Sequence, residues 1–408
     1  MFLDEFKKRI ELFKNKNFLY FTLSGFCATF GNGLSYIVLS WFAYNRTNSI
    51  QGIALMMFCI WMPSILFAPL FGYLADRYDR KVQIILSNLV RGFAIITWVL
   101  LWQIDIKIDL MVLCTLLGIF VSFYMPCAIP FISSIIPKED LIKANATIDM
   151  VYEFGTIIGM GISGLILYFA GMENTLLIGG VFFIIAGLFN FALTPVFTPD
   201  NEEGSRPAQN WWQSYISALG YFRRTPELYM PYLTQMLIMV LLMTIPIILV
   251  PYTREVLHAD TQTFAFYEML YSLGVVVGAF FAPLVSQKIN IRNTLALLLA
   301  LMALCLLVLF INTYIIIGFP IYFLIGVGLS SWGLAISLAQ LNCDIEYQGR
   351  LQASFNGISG LFILGLYLLM AYGEGNLPVQ SIYLAQSVLA FIAILVILFY
   401  RKGNKPTM

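Results

Sequence analysis

The chain has 408 residues, of which 60% are hydrophobic and only 11% charged, with a mean hydropathy of +0.83. A soluble domain carries about 25% charged residues, so this composition excludes a cytosolic enzyme, a nucleic-acid binder and a disordered regulator. A net charge of +1 leaves no overall field to collect a polyanion. The six cysteines form no CxxC pair and sit in or beside apolar runs, and the single histidine, His258, is too few for a histidine metal centre. No metal and no cofactor is expected. The composition is that of an integral membrane protein, whose first partner is the lipid bilayer.

A membrane-crossing helix needs about 20 mostly apolar residues. In chain order such runs fall at 18–44, 50–75, 82–103, 108–134, 144–170, 174–196, 227–253, 263–286, 293–313, 315–341, 350–372 and 378–400. Continuous runs of this kind exclude a β-barrel, whose strands alternate. The long polar stretch at 197–226 divides the spans into an N-terminal bundle (18–196) and a C-terminal bundle (227–400), six helices each, with tails at 1–17 and 401–408. Within that linker, Trp211 to Arg224 reads either as an amphipathic segment on the membrane face or as a solvated connection. The charged first 17 residues lead into a run too long for a cleavable signal.

Lys and Arg set the expected orientation. Nineteen lie in the tails, the linker and the loops after spans 2, 4, 8 and 10, whereas the opposite loops hold only Arg46, Lys107 and Arg254. Both termini are therefore expected in the cytoplasm. The bundles also echo one another. Phe67-Ala68-Pro69-Leu70 recurs as Phe281-Ala282-Pro283-Leu284, and Glu139, Lys143 and Ala146 recur as Glu346, Arg350 and Ala353 at the same spacing. Repeats of this kind place a substrate site near the midplane between them.

Between spans 2 and 3 the chain reads Gly72-Tyr73-Leu74-Ala75-Asp76-Arg77-Tyr78-Asp79-Arg80-Lys81. This resembles the loop 2–3 signature of the major facilitator superfamily, with Asp79 where many members have Gly, as in its macrolide-efflux and enterobactin-exporter branch. The resemblance implies a transporter of two pseudo-symmetric six-helix bundles in the bacterial inner membrane. It also implies that Asp76 meets the N-terminus of span 11, where the helix dipole favours an anion. Gly72 would let span 2 approach its neighbour closely, and Arg77, Arg80 and Lys81 would pair with Glu139, Asp140 or Asp149 as a cytoplasmic latch. On span 5, Gly155, Gly159, Gly161 and Gly164 are similar to the antiporter signature of drug-efflux members, with Met160 in place of its proline. Gly155 and Gly159, and Gly274 and Gly278 on span 8, form small-residue faces, which superfamily geometry would bring together.

Ionisable residues at membrane depth are usually functional. Arg91 on span 3 and Glu153 on span 5 share a depth, with Asp149 one turn from Glu153. The expectation is a buried pair of Arg91 with one acid, leaving the other to carry a proton. Glu268 lies nearer the outer end of span 8, where a side chain can reach water. For a substrate pocket the candidates are Asn32, Tyr36, Trp61, Tyr124, Gln235, Tyr271, Trp332 and Asn356, since aromatics with a few amides suit amphipathic compounds.

There is no HExxH, nucleophile elbow or Walker A loop, which argues against an enzyme or an ATP-driven pump. The expected function is proton-coupled export of a small amphipathic molecule, drug or siderophore, by a monomer. The alternatives are a lysophospholipid flippase, a siderophore importer and a non-transporting sensor.

Overall fold

The computed structural model describes residues 11–67, 70, 71, 74, 77–132, 134–137, 140–194, 211–372 and 378–399. Among the described residues there are helices and turns and no strand. Lipid demands this, because every backbone N–H and C=O must be satisfied within the segment. Among the described residues ten helices are long and apolar enough to cross a membrane. One of them, Met150–Phe191, is broken at Gly171 into two arms, and Ile50–Leu66 adds a shorter apolar helix, giving the twelve crossings expected. The chain forms two compact units, Met1–Gly204 and Ser205–Met408.

Unit 1 contains α1 (Lys16–Thr47), α2 (Ile50–Leu66), α3 (Arg80–Gln103), α4 (Leu110–Ile132) and α5 (Leu141–Phe191). Polar residues punctuate the apolar runs. The side chains of Asn15, Ser49 and Asp79 accept hydrogen bonds from the first-turn N–H groups of α1, α2 and α3, each cap contributing about 1 kcal/mol. The arms of α5, 141–170 and 172–191, meet at Gly171 with φ 79° and ψ 173°, a conformation almost confined to glycine. The gap expected between spans 5 and 6 is thus one residue wide. Helix α1 packs along both arms, α3 along the second arm and α2 along α4. Asn17 ties one end of the unit, donating to the Thr194 carbonyl at 2.7 Å and accepting from the Thr194 N–H at 2.9 Å.

Unit 2 contains α6 (Trp211–Arg224), α7 (Tyr229–Pro251), a π-turn (Tyr252–Val256), α8 (Thr261–Ile289) and α9 (Ile291–Ile311). It continues with α10 (Ile315–Leu329), α11 (Ser331–Asn342), α12 (Ile345–Tyr372) and α13 (Val379–Phe399). Span 10 is therefore two helices meeting at Ser330. Helix α6 is docked on its own unit: Tyr221 stacks on Tyr347 at 4.3 Å, Phe222 packs on Phe355 at 4.7 Å, and the Asp344 N–H donates to the Tyr221 hydroxyl. Apolar burial on α12 thus fixes this segment in a way that its charge pattern alone does not show.

The helix contacts rest on glycines, which let backbones approach. A Cβ on Gly118 of α4 would meet the backbone of Ile60 on α2, and one on Gly326 of α10 would meet that of Tyr271 on α8. The same kind of contact therefore joins the second and fourth spans of each unit.

Candidate functional site

The α2–α3 connection is described in part. Gly72 and Asp76 lie outside the described residues, as do Lys138 and Glu139. Asp79, the departure from the signature, acts locally, since its Oδ1 accepts from the Lys81 N–H at 2.8 Å and caps α3. Lys81 sends its Nζ to the Phe191 carbonyl at 3.0 Å, at the C-terminus of α5, where the dipole favours a cation. Gln83 donates to the Leu74 and Tyr78 carbonyls at 3.0 Å each, pinning the turn to α3. Arg77 is exposed and Arg80 half-buried.

Both glycine pairs pack inside their own unit. A Cβ on Gly155 would strike the Phe26 carbonyl at 2.8 Å, and one on Gly159 would strike that of Phe30, both on α1. A Cβ on Gly274 would strike the Phe323 carbonyl, and one on Gly278 the Val327 carbonyl at 2.7 Å, both on α10. Each glycine pair thus has a close backbone partner within its own unit. A small-residue spacing says that a backbone comes close and does not say which one. Gly161 is half-buried and Gly164 buried on the same arm of α5.

Arg91 lies eleven residues into α3, about 16 Å along the helix at 1.5 Å per residue, and is 3% exposed. Its Nε donates to the Ser87 carbonyl at 3.2 Å and its Nη2 to Asn88 Oδ1 at 2.5 Å. The guanidinium also lies over two rings, 4.4 Å from the Phe183 centroid and 5.5 Å from that of Tyr124, contacts worth about 0.5–2 kcal/mol each. Tyr124 in turn shares a hydrogen bond with Tyr152 at 3.1 Å. The side chains of Asp149 and Glu153 lie outside the described residues, and no described carboxylate pairs with Arg91.

Glu268 is buried rather than reaching water, at 2% exposure. It lines a narrow cleft with Ile245, Pro246 and Leu249 of α7, Tyr271 of its own helix and Tyr322 of α10. None of these lining residues is basic. A charged carboxylate at depth costs about 2.5–3.5 kcal/mol on insertion scales, and nothing in the cleft lining offsets it.

The remaining pocket candidates are dispersed. Gln235 is buried, and its amide has no hydrogen bond among the described residues. Asn356 is exposed and accepts from Gln352 at 3.1 Å. Asn32 is exposed, while Tyr36, Trp61 and Trp332 are half-buried. The structure joins Arg91 with Tyr124, and Glu268 with Tyr271. It adds Asn88 and Phe183 to the first group and Tyr322 to the second. Asn88 was findable as the residue one turn before Arg91, whereas Phe183 and Tyr322 come from distant helices with no local signal.

The comparisons agree with this architecture. The solved nucleoside transporter NupG superposes with a TM-score of 0.70 at 13% identity over 94% of this chain and 99% of NupG. A bacterial homologue of the iron transporter ferroportin, in an inward-facing state, superposes at 0.72 and 13% identity over 93% of this chain and 97% of its own. At such identities the likeness is one of fold. Among curated sequences, the Staphyloferrin A transporter of Staphylococcus aureus is 25% identical over 67% of this chain and 68% of its own length. A PmrA homolog of Lactococcus lactis, named a multi-drug resistance efflux pump, is 32% identical over 35% of this chain and 33% of its own. The uncharacterized MFS-type transporter YkuC of Bacillus subtilis is 25% identical over 44% and 42%. The chain thus spans less than half the length of the last two relatives. The model of the Major Facilitator Superfamily matches residues 21–364, so this multi-pass membrane protein, with its two units and its signature loop, belongs to that superfamily of transporters.

Proposed function

We propose that the protein is a proton-coupled secondary transporter that exports a small amphipathic molecule from the cytoplasm. In this reading its two six-helix units expose the site alternately to either side of a bacterial inner membrane by a rocker-switch motion. It works as a monomer with both termini in the cytoplasm. The observation that carries the reading is Glu268, a carboxyl buried among apolar and phenolic groups in a cleft with no basic lining residue. A group so placed exchanges charge for a proton as the site opens and closes, which couples transport to a pH gradient. The efflux-pump relatives support the export direction, and the one-sided distribution of Lys and Arg supports the cytoplasmic placement of the termini. Within unit 2 the drug-binding surface would combine Tyr271 with the half-buried Trp332.

The test is accumulation of dyes, macrolides, siderophores and lysophospholipids in efflux-deficient cells, with and without a protonophore. Wild type is compared with Glu268→Gln, Glu153→Gln, Asp149→Asn and Asp76→Asn. Reduced accumulation of one class, lost with the protonophore and in Glu268→Gln, is the expected result. Full gradient-driven export in that variant removes Glu268 from the mechanism.

A second reading concerns the cargo. Arg91 offers a buried guanidinium held by Asn88 and two rings, and such a group suits an anionic cargo. The relative named for staphyloferrin A adds weight to a siderophore. Export of siderophores alone, abolished by Arg91→Lys, would favour this reading over the cationic or neutral drug.

A further inference from the structure

Beyond the Glu268 cleft, unit 2 continues into a cluster of phenols. Tyr252, Tyr267, Tyr322 and Tyr383 are each at most 1% exposed, and they come from the π-turn, α8, α10 and α13. Tyr267 stacks on Tyr322 at 4.9 Å and donates to the Ile315 carbonyl at 2.7 Å. Tyr252 stands edge-on to Tyr383 at 5.1 Å; it donates to the Asn312 carbonyl at 3.1 Å and accepts from Asn312 Nδ2 at 3.0 Å. Those two hydroxyls therefore end on backbone carbonyls in the usual way.

Tyr322 and Tyr383 differ. Their hydroxyls bond to each other. Two hydroxyls carry two hydrogens, and one bond uses one of them. The other hydrogen has no hydrogen-bond acceptor among the described residues, and the carboxyl that shares the cleft with Tyr322 is Glu268. The titratable groups lining the cleft with Glu268 are Tyr271 of its own helix and Tyr322 of α10, with Tyr267 and Tyr383 packed against Tyr322 and Tyr252 against Tyr383. None of them is basic.

We propose that the Tyr322–Tyr383 hydroxyl pair is the proton relay of Glu268, delivering protons to its carboxyl from the end of unit 2 that carries Tyr252 and Asn312. The proposal rests on the reading of Glu268 as the proton carrier. In each transfer one hydroxyl gives its hydrogen to the carboxylate while its oxygen takes the hydrogen of the other. That second oxygen is replenished from water entering at the Asn312 end. Both phenols finish neutral, one O–H bond forms for each that breaks, and nothing is oxidised. Tyr252, oriented by Asn312, is a positioning residue that holds the ring of Tyr383.

The experiment needs no knowledge of the cargo. Purified full-length protein in lipid nanodiscs is subjected to a pH jump, and the carboxylic-acid C=O infrared band is followed in time. The wild type should show a band that titrates with pH and is missing in Glu268→Gln. In the double variant Tyr322→Phe/Tyr383→Phe the band should keep its amplitude and midpoint while its formation slows about a hundred-fold, the scale of a lost proton-transfer group. Tyr383→Phe alone should show intermediate slowing, and Tyr367→Phe, at a buried phenol of the same unit that donates to the Met243 carbonyl outside the cleft, should leave the rate unchanged. The retained amplitude confirms that the variants are folded. If wild type and Glu268→Gln have the same bands, the proton-carrier reading fails. If the band is present and forms at the wild-type rate in the double variant, the relay alone is overturned.

Discussion

Gly326→Ala tests the packing that shapes the Glu268 cleft. A Cβ on Gly326 would meet the Tyr271 carbonyl oxygen, the Val275 nitrogen at 2.9 Å and the Tyr271 carbonyl carbon at 3.0 Å. Comfortable carbon contacts lie near 3.5–4.0 Å, and these three atoms are backbone, which cannot rotate aside. The helices α8 and α10 must separate. Overpacking costs about 1–3 kcal/mol, here toward the upper end. Replacing a helical glycine by alanine returns about 1 kcal/mol, so the net loss is about 2 kcal/mol. Gly333 on α11 is the control: no atom lies within 4 Å of its added Cβ, so Gly333→Ala should gain about 0.5–1 kcal/mol. The two variants should therefore differ by about 3 kcal/mol, about a hundred-fold in the folded-to-unfolded ratio at 1.4 kcal/mol per tenfold. Denaturant unfolding in one detergent measures the difference. Because Tyr271 lies one turn from Glu268, gradient-driven transport should fall in Gly326→Ala and persist in Gly333→Ala. A Gly326→Ala protein as stable as wild type, or equal shifts in both variants, would refute the reasoning.

Three further outcomes follow from the described contacts. Lys81→Met removes the bond to the Phe191 carbonyl and should lower stability by about 1 kcal/mol, whereas an unchanged melting curve would show that the bond contributes nothing. The Asp109 carboxyl is held below its ordinary value of 3.8, first by the Met111 N–H and then by Arg46 at 2.8 Å. Its stabilisation is therefore full above that ordinary value and is lost as pH falls through the lowered one. Melts taken from neutral to strongly acid pH should show a shallower acid limb in Asp109→Asn, and identical limbs would contradict this. Arg91→Lys loses the planar stack on Phe183 and the bond to Asn88 and should destabilise by about 2–4 kcal/mol. Wild-type stability in that variant would mean that an ammonium serves the site equally well.

The crossings were legible because lipid permits only long apolar helices, so a hydropathy pattern is nearly a fold assignment. The break between spans 5 and 6 was legible for the same reason glycine occupies it, while the break at Ser330 falls inside the stretch read as one span, marked only by the Ser330-Ser331 pair between glycines. Gly155, Gly159, Gly274 and Gly278 announced close approach without naming their partners, because the choice between neighbouring helices is made by tertiary packing. Glu268 was read as water-accessible from its distance to the helix end. Its burial depends on Tyr322, 54 positions away, and on the side chains of α7. Arg91 is buried, and half of its surroundings come from α4 and the second arm of α5, which no local pattern announces.

The one-residue junction at Gly171 also governs where the chain tolerates interruption. Elsewhere a connecting loop absorbs an inserted epitope or protease site by lengthening, as exposed tips generally do. Here the backbone turns from one crossing into the next through a single residue at φ 79° and ψ 173°, with no slack to donate. Spans 5 and 6 therefore share a single junction, and any insertion there bears on both at once. Reporter tags belong in the turn at 105–107, where exposed residues connect α3 and α4.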